Sequence, residues 1–441
     1  MSVLSSMTTD IIVVAVVLGF MIFIHELGHF IAAKRLGVRV LTFSLGFGTR
    51  LLGFKRGDTD YRISLLPFGG YVKMAGEDPT ESHHDDPGDF LAHPRWQRFI
   101  IALAGPTMNI LTALILLAVL YKFHYEKPSY EAQPAQIGDV ASGSPAAKAG
   151  LQPGDLIVRM GNVDHPNWRE AQVDILMTTH ASIPLEVERR GELMNLSLAP
   201  KAEGEDQTGY AGIEPCLPSV VGELEPGMPA VRAGVRPGDK IVAVDGQPTP
   251  CFQSVASAVQ AHDGHPITLD LLRHGTPVQV PLQAVRRKVS GKEMWMIGVE
   301  VQMMTVRHLP LSQAIVTSWD DNVRSTVLTF EALKKIATRQ LSARSLSGPV
   351  GIAQISGSAY RAGATALLSL VAFISLQLGI LNLLPIPMLD GGMILMLFIE
   401  SAMQRDLSLE FKERLVQAGI FLLLLVAVFV TYNDIVKALS H

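Results

Sequence analysis

The sequence predicts a polytopic α-helical membrane protein with four transmembrane helices, a β-hairpin beside them and two small α+β domains between the second and third spans. Four apolar runs are long enough to cross a bilayer, a stretch of the outer segment recurs downstream, and basic residues gather beside particular runs. The 441 residues are 48% hydrophobic and 18% charged, which is unlike an ordinary soluble protein. A net charge of −4 gives no reason to expect nucleic acid as a partner. The two cysteines, Cys216 and Cys251, exclude a disulfide framework and are compatible with one bridge or with two free thiols.

The first span covers residues 11–33, with Glu26 its only formal charge. No Lys or Arg precedes it, whereas a cleaved signal peptide has a basic start, so the span is expected to be retained. The second covers 99–121, the third 362–384 and the fourth 415–432, none of them charged. At about 1.5 Å per residue, each crosses most or all of a hydrocarbon layer of about 30 Å. The apolar run 391–399 is too short and reads as interfacial or re-entrant. Lys34, Arg35, Arg39, Arg95 and Arg98 mark the loop 34–98, and Arg405, Lys412 and Arg414 mark 403–414. These loops are therefore expected in the cytoplasm, with both termini and the segment 122–361 outside; Arg361 and Lys437 are minor exceptions. Within the first loop, alternation over residues 61–74 together with Phe68-Gly69-Gly70 predicts a hairpin.

The outer segment contains a duplication. "GSPAAKAGLQPGDLIV" at residues 143–158 recurs as "GMPAVRAGVRPGDKIV" at 227–242, with ten of sixteen positions identical. Each copy reads as a short helix stopped by Gly150 or Gly234, a Pro-Gly-Asp turn and an apolar strand. Gly212-Ile213-Glu214 and Gly298-Val299-Glu300 correspond further on. The repeated motif resembles that of PDZ domains, which implies PDZ-like units at 128–216 and 217–303. Such domains bind extended peptides by strand addition and capture C-terminal carboxylates. C-terminal peptides are thus the implied partners, with Ile213 and Val299 in the peptide-binding loops; spacers with closed grooves are the plainer reading. Within the connector 304–361, residues 311–339 read as a helix and "SLSGPVGIAQISGSA" as a Gly-, Ser- and Pro-rich approach to the third span.

The chemistry lies in "FIHELGHF", residues 23–30, inside the first span. On a helix His25 and His29 share one face, with Glu26 beside them. In this His-Glu-x-x-His pattern two imidazoles hold zinc and the carboxylate takes a proton from water. Three ionisable groups in one turn of a spanning helix are expensive, which favours function over a satisfied structural pair. A hydrolytic zinc site needs a third protein ligand and an open position. The candidate is Asp390 in "LNLLPIPMLDGG", where Pro385, Pro387, Gly391 and Gly392 should break the helix and turn the carboxylate toward another helix. Its plainer reading is an interfacial cap. A rival cluster, His83-His84-Asp85-Asp86, lies in a polar loop and reads as solvated. The first helix rises about 21 Å from residue 11 to His25 and only about 12 Å more to residue 33, so the site is expected in the cytoplasmic half of the bilayer.

"HELGH" in the first span and "NLLPIPMLDGG" after the third are similar to the two signatures of the site-2 protease family of intramembrane zinc metalloproteases, and the resemblance covers almost the whole chain. It implies one Zn2+ per chain held by His25, His29 and Asp390, with Glu26 catalytic and Asn382 holding substrate. "GFGTR" and residues 61–74 look like the family's membrane-associated hairpin, which implies substrate contacts at Gly69 and Gly70. "AGPTMN" matches a family pattern in the second span and implies a structural role for Asn109; Met393 departs from relatives that often carry His there. The implied organisation is two membrane halves, 1–127 and 362–441, around periplasmic domains, in the bacterial inner membrane. The implied activity is cleavage of transmembrane segments of single-span proteins within the lipid bilayer. The implied substrates are an anti-sigma factor already cut on the outer side, in envelope stress signalling, and signal-peptide remnants. Two rival readings are a membrane-anchored PDZ scaffold with a vestigial metal site and a zinc transporter. An intact Glu26 and Asp390 argue against the first, and few polar residues in spans two and four argue against the second.

Overall fold

A computed structural model describes residues 3–77, 86–131, 133–179, 181–204, 207–289, 292–342, 344, 346 and 348–439. His83, His84 and Asp85 of the rival cluster lie outside these residues. The chain divides into two units, one of residues 1–124, 308–331 and 346–441, the other of 125–307 and 332–345.

The first unit is helical apart from one hairpin. Helix α1, Val3–Arg35, ends where Lys34 and Arg35 meet the negative end of its dipole. Gly37, at φ +87°, then turns the chain so that the Val38 N–H reaches the Ala33 carbonyl. The remaining helices are α2 (Arg95–Phe123), α3 (Leu311–Ala337, which continues into the second unit), α4 (Pro349–Ala362), α5 (Ala364–Asn382), α6 (Asp390–Met403) and α7 (Leu409–Leu439). Among the described residues α1, α2, α5 and α7 are long and apolar enough to cross a membrane, matching the four predicted spans. Apolar side chains left exposed on α2 and α7, such as Ile115, Phe421 and Val428, mark faces suited to lipid.

Small residues set the helix contacts, as expected where lipid removes any hydrophobic drive for association. A Cβ on Gly28 of α1 would come 2.4 Å from the Ala104 carbonyl of α2, so the two backbones nearly touch. On the other side of α2, Ser375 of α5 donates to the Asn109 carbonyl at 2.8 Å.

Two stretches differ from the sequence expectation. The Gly-, Ser- and Pro-rich approach to the third span is a helix, α4. Pro349 suits a first helical turn, and Asp434 of α7 accepts the Gly348 and Gly351 N–H groups at 3.0 and 2.9 Å. At its other end Arg361 pairs with Asp10 of α1 at 2.6 Å, so tertiary contacts outweigh a weak local propensity. The hairpin also differs. Its strands β1, Val40–Arg56, and β2, Thr59–Met74, turn at Gly57 and Asp58, so Phe68-Gly69-Gly70 lies inside β2. Gly46 and Gly48 (φ +92° and +85°) bend β1, and Gly69 (φ +139°) bends β2. The bends let residues 42–45 stand opposite both 60–63 and 70–73.

The second unit carries the duplication into three dimensions. Strand Leu156–Met160 and helix Trp168–Leu176 recur as Lys240–Val244 and Phe252–Ala261, each in a four-stranded antiparallel sheet with its own buried core. The repeated Pro-Gly-Asp turn has a physical role that the motif alone did not reveal. Asp155 takes two hydrogen bonds from Arg189, both 2.7 Å, and Asp239 takes two from Arg273, 2.9 and 2.7 Å. In each copy the same arginine also caps the carbonyl of the helix-stopping glycine, Gly150 or Gly234. Cys216 and Cys251, left open by composition, form a disulfide with Cα atoms 5.1 Å apart.

Two outcomes are expected from this unit. Cys251→Ser should destabilise it by about 3–4 kcal/mol, the loop entropy of a closed ring of this length, read by denaturant-dependent proteolysis of the full chain in detergent. The Arg273 guanidinium holds the Asp239 carboxyl below its ordinary value. The stabilisation is then complete above the unfolded carboxylate pKa, about 4, and fades as pH falls through the lower folded value. Hydrogen-exchange protection of strand Lys240–Val244, relative to the intrinsic rate at each pH, should fall over that acidic window in the native chain, and Asp239→Asn should remove that part of the dependence.

Candidate metal centre

Two helices and one broken backbone supply the centre. His25 and His29 project from one face of α1, and both are buried despite their polarity. Asp390 is the first residue of α6. Between α5 and α6 the chain leaves helical geometry at the residues containing Pro385 and Pro387, neither of which can donate a helical hydrogen bond. Gly391 and Gly392 permit the return: a Cβ on either would lie 2.3 Å from a carbonyl oxygen of the preceding loop. The turn delivers Asp390 Oδ2 to 3.0 Å from His25 Nε2 and Oδ1 to 3.5 Å from His29 Nε2. The two Nε2 atoms are 3.1 Å apart. All three groups offer a ligand atom within 4.8 Å of the others, a spacing that one small cation can bridge.

The donor set fits zinc. Two imidazole nitrogens and one carboxylate oxygen are the ligand types of a catalytic zinc site with a position left open. His29 Nδ1 lies 2.7 Å from the Ile101 carbonyl, which can only accept, so the ring proton sits there and the Nε2 lone pair faces the cluster. Room for an ion comes from α2. A Cβ on Gly105 would lie 2.2 Å from His29 Nε2 and 2.8 Å from His25 Nε2. Asn109, one turn further along α2, is fully buried with its side-chain amide 3.2 Å from His25 Nδ1.

Glu26, next to His25 on α1, reaches the hairpin, where its Oε2 accepts the Val72 N–H at 3.0 Å. That bond ties the carboxylate to the segment of β2 that begins at Gly69 and Gly70. Both glycines are closely packed: a Cβ on Gly69 would strike the Phe47 ring, and one on Gly70 the Ser44 carbonyl. A cavity of about 350 Å³ unites Glu26, His25, His29, Tyr71, Asn382 and Asp390. Asn382, the last residue of α5, thus lines the same space as the three clustered groups. Met393 of α6 lines it too, without offering a charged ligand.

Ile213 and Val299 belong to the second unit. Each begins a short strand after a glycine with positive φ, and they pair with Val140 and Leu224 respectively, so the two copies present them equivalently. Glu77 was not singled out by any motif, yet it lines the cavity and accepts the Met74 N–H at 3.2 Å. Burial pushes its carboxyl up from the ordinary value. The Ile101 carbonyl and Gly105 were likewise invisible as site components, because a backbone oxygen and a missing side chain leave no residue-type signal.

Comparison with known proteins gives a family and several relatives. The family model for peptidase family M50 matches residues 13–426. A protein named "Putative zinc metalloprotease" from Treponema pallidum (strain Nichols) is 32% identical over 419 residues, 90% of this chain and 92% of that one. "Regulator of sigma-E protease RseP" from Escherichia coli (strain K12) is 32% identical over 446 residues, 95% of this chain and 96% of its own. "Protease RseP" from Yersinia pestis is 32% identical over 465 residues, 98% of this chain and 99% of its own.

Gly105→Ala tests the space for the ion directly. The added methyl overlaps the ligand nitrogens, so the purified variant should fail to retain stoichiometric zinc while running as a monodisperse species in detergent. Zinc retention equal to the native chain would mean that the ion does not occupy this position.

Proposed function

This chain belongs to peptidase family M50, and from that premise we propose that it cuts the transmembrane segments of single-span membrane proteins at a zinc ion held by His25, His29 and Asp390, one ion per chain. It is a site-2 type metalloprotease of the bacterial inner membrane, and that enzyme class sets aside the scaffold with a vestigial metal site. The observation that carries the assignment of residues is the convergence of three ligand atoms from α1 and α6 on one point, with Glu26 beside them.

Zinc bound there supplies Lewis acidity for the scissile carbonyl and makes water easier to deprotonate. Glu26 would take a proton from the attacking water and give it to the leaving amine. The Val72 N–H holds the Glu26 carboxylate through Oε2, at the wall of the cavity. A helical substrate conceals its carbonyls in its own hydrogen bonds and must unwind before attack. Asn382 lines the cavity, and its amide, with the β2 segment at Gly69 and Gly70, would offer replacement partners for the freed backbone.

The duplicated lobes of the second unit serve as PDZ-like domains on the periplasmic side, with Ile213 and Val299 at their peptide-binding strands. The Cys216–Cys251 disulfide supports that side, since such bridges persist in oxidising compartments. The basic residues around 34–98 and 403–414 support a cytoplasmic placement of the active-site end. The substrates would be of the anti-sigma-factor class, first trimmed on the outer side, and signal-peptide remnants. Such cleavage would serve envelope stress signalling.

Co-expression with single-span candidate substrates tests the proposal. Glu26→Gln should keep its zinc and lose at least about 10²-fold in cleavage rate, the usual contribution of a general base. Uncut substrate should accumulate with the variant and disappear with the native chain. Equal cleavage by both, or cleavage that survives removal of zinc by a chelator, would refute the mechanism.

A further inference from the structure

We propose that Asn109 is the positioning residue for His25: its side-chain oxygen accepts the Nδ1 proton of that ring and so leaves Nε2 free to bind the metal. The inference rests on the zinc site proposed above and deepens it.

His25 Nε2 is the nitrogen aimed into the cluster, 3.0 Å from Asp390 and 3.1 Å from His29 Nε2. A neutral imidazole that ligates through Nε2 carries its proton on Nδ1, and that proton needs an acceptor in an apolar interior. The group within reach of Nδ1 is the Asn109 amide, at 3.2 Å. Asn109 has no exposed surface, and its Oδ1 is a buried polar atom with no hydrogen-bond partner when Nδ2 is the atom facing His25. Rotating the amide by half a turn exchanges oxygen and nitrogen at almost no steric cost.

The two orientations correspond to two states of the site. With Nδ2 toward the ring, Nδ1 accepts and Nε2 carries the proton, which suits a hydrogen bond to Asp390. With Oδ1 toward the ring, Nδ1 donates and the Nε2 lone pair faces the ion. An amide serves both states because it holds a donor and an acceptor on one carbon. The rest of Asn109 is held while its amide turns: Ser375 of α5 donates to its backbone carbonyl at 2.8 Å.

α2 therefore orients both histidines. The Ile101 carbonyl fixes the outer nitrogen of His29 and Asn109 that of His25, two partners on one helix with Gly105 between them. This gives "AGPTMN" a chemical purpose beyond helix packing.

The test is zinc affinity, measured by competition with a chromophoric chelator on full-length protein in detergent, with Co2+ absorption as a second readout of ligand geometry. Asn109→Leu keeps the size and removes the acceptor, and should weaken zinc binding about 10- to 100-fold, as for other outer partners of ligating histidines. Asn109→Asp supplies a permanent acceptor and should bind zinc at least as tightly as the native chain, with a native-like Co2+ spectrum. Native affinity in a well-folded Asn109→Leu would overturn the inference. So would an Asn109→Asp protein that loses zinc, which decides the matter even if the leucine variant does not fold. Failure of the underlying site looks different: a native chain that takes up no zinc, or a His29→Ala variant that takes up as much as the native chain.

Discussion

The near contact of α1 with α2 at Gly28 and Ala104 governs the centre of this protein. A side chain at Gly28 would be only 2.4 Å from the Ala104 carbonyl, so no larger residue permits the same approach. Because the helices lie this close, the outer nitrogens of His25 and His29 reach α2 without an intervening layer. With a side chain at residue 105, the same closeness would press protein atoms against His25 Nε2 and His29 Nε2. Proximity and vacancy are therefore set by two glycines on opposing helices. In lipid, where apolar burial does not drive helix association, such backbone proximity is one of the few sources of cohesion.

Around that contact, the chain brings irregular backbone up against the membrane-spanning helices. The break between α5 and α6 carries Asp390 to the histidines, and β2 carries the Val72 N–H to Glu26. Unpaired backbone groups are costly away from water, so such segments persist only where protein or a wet cavity receives them. Here they line the same cavity as the clustered side chains. The broken helix between α5 and α6 is the physical condition for that polar-lined space.

The second unit obeys different physics. Its lobes are built on alternating strands, separate apolar cores and a repeated latch in which an arginine joins the Asp of a Pro-Gly-Asp turn to the end of a helix. A bridging disulfide adds cohesion that the small cores lack. Equivalent placement of Ile213 and Val299 in the two lobes follows from the duplication.

Much of this protein was determined by local sequence. Apolar length specified the four spans, because a helix of a given residue count has a given rise. The spacing of His25 and His29 placed them on one face, and a sixteen-residue recurrence disclosed the duplication. The Pro and Gly residues around Asp390 announced a helix break. Other features depend on which elements become neighbours, and only the tertiary structure decided them. Residues 349–362 are poor in local helix signals and are helical because Asp434 caps one end and Asp10 holds the other. The turn of the hairpin fell at Gly57 rather than at Phe68-Gly69-Gly70, because bends in both strands allow a pairing that alternation alone does not specify. The closure of Cys216 on Cys251, the empty space at Gly105 and the Asn109 contact with His25 are relations between distant positions. A one-dimensional pattern records residue types and spacings, and such relations exist only after packing has brought those positions together.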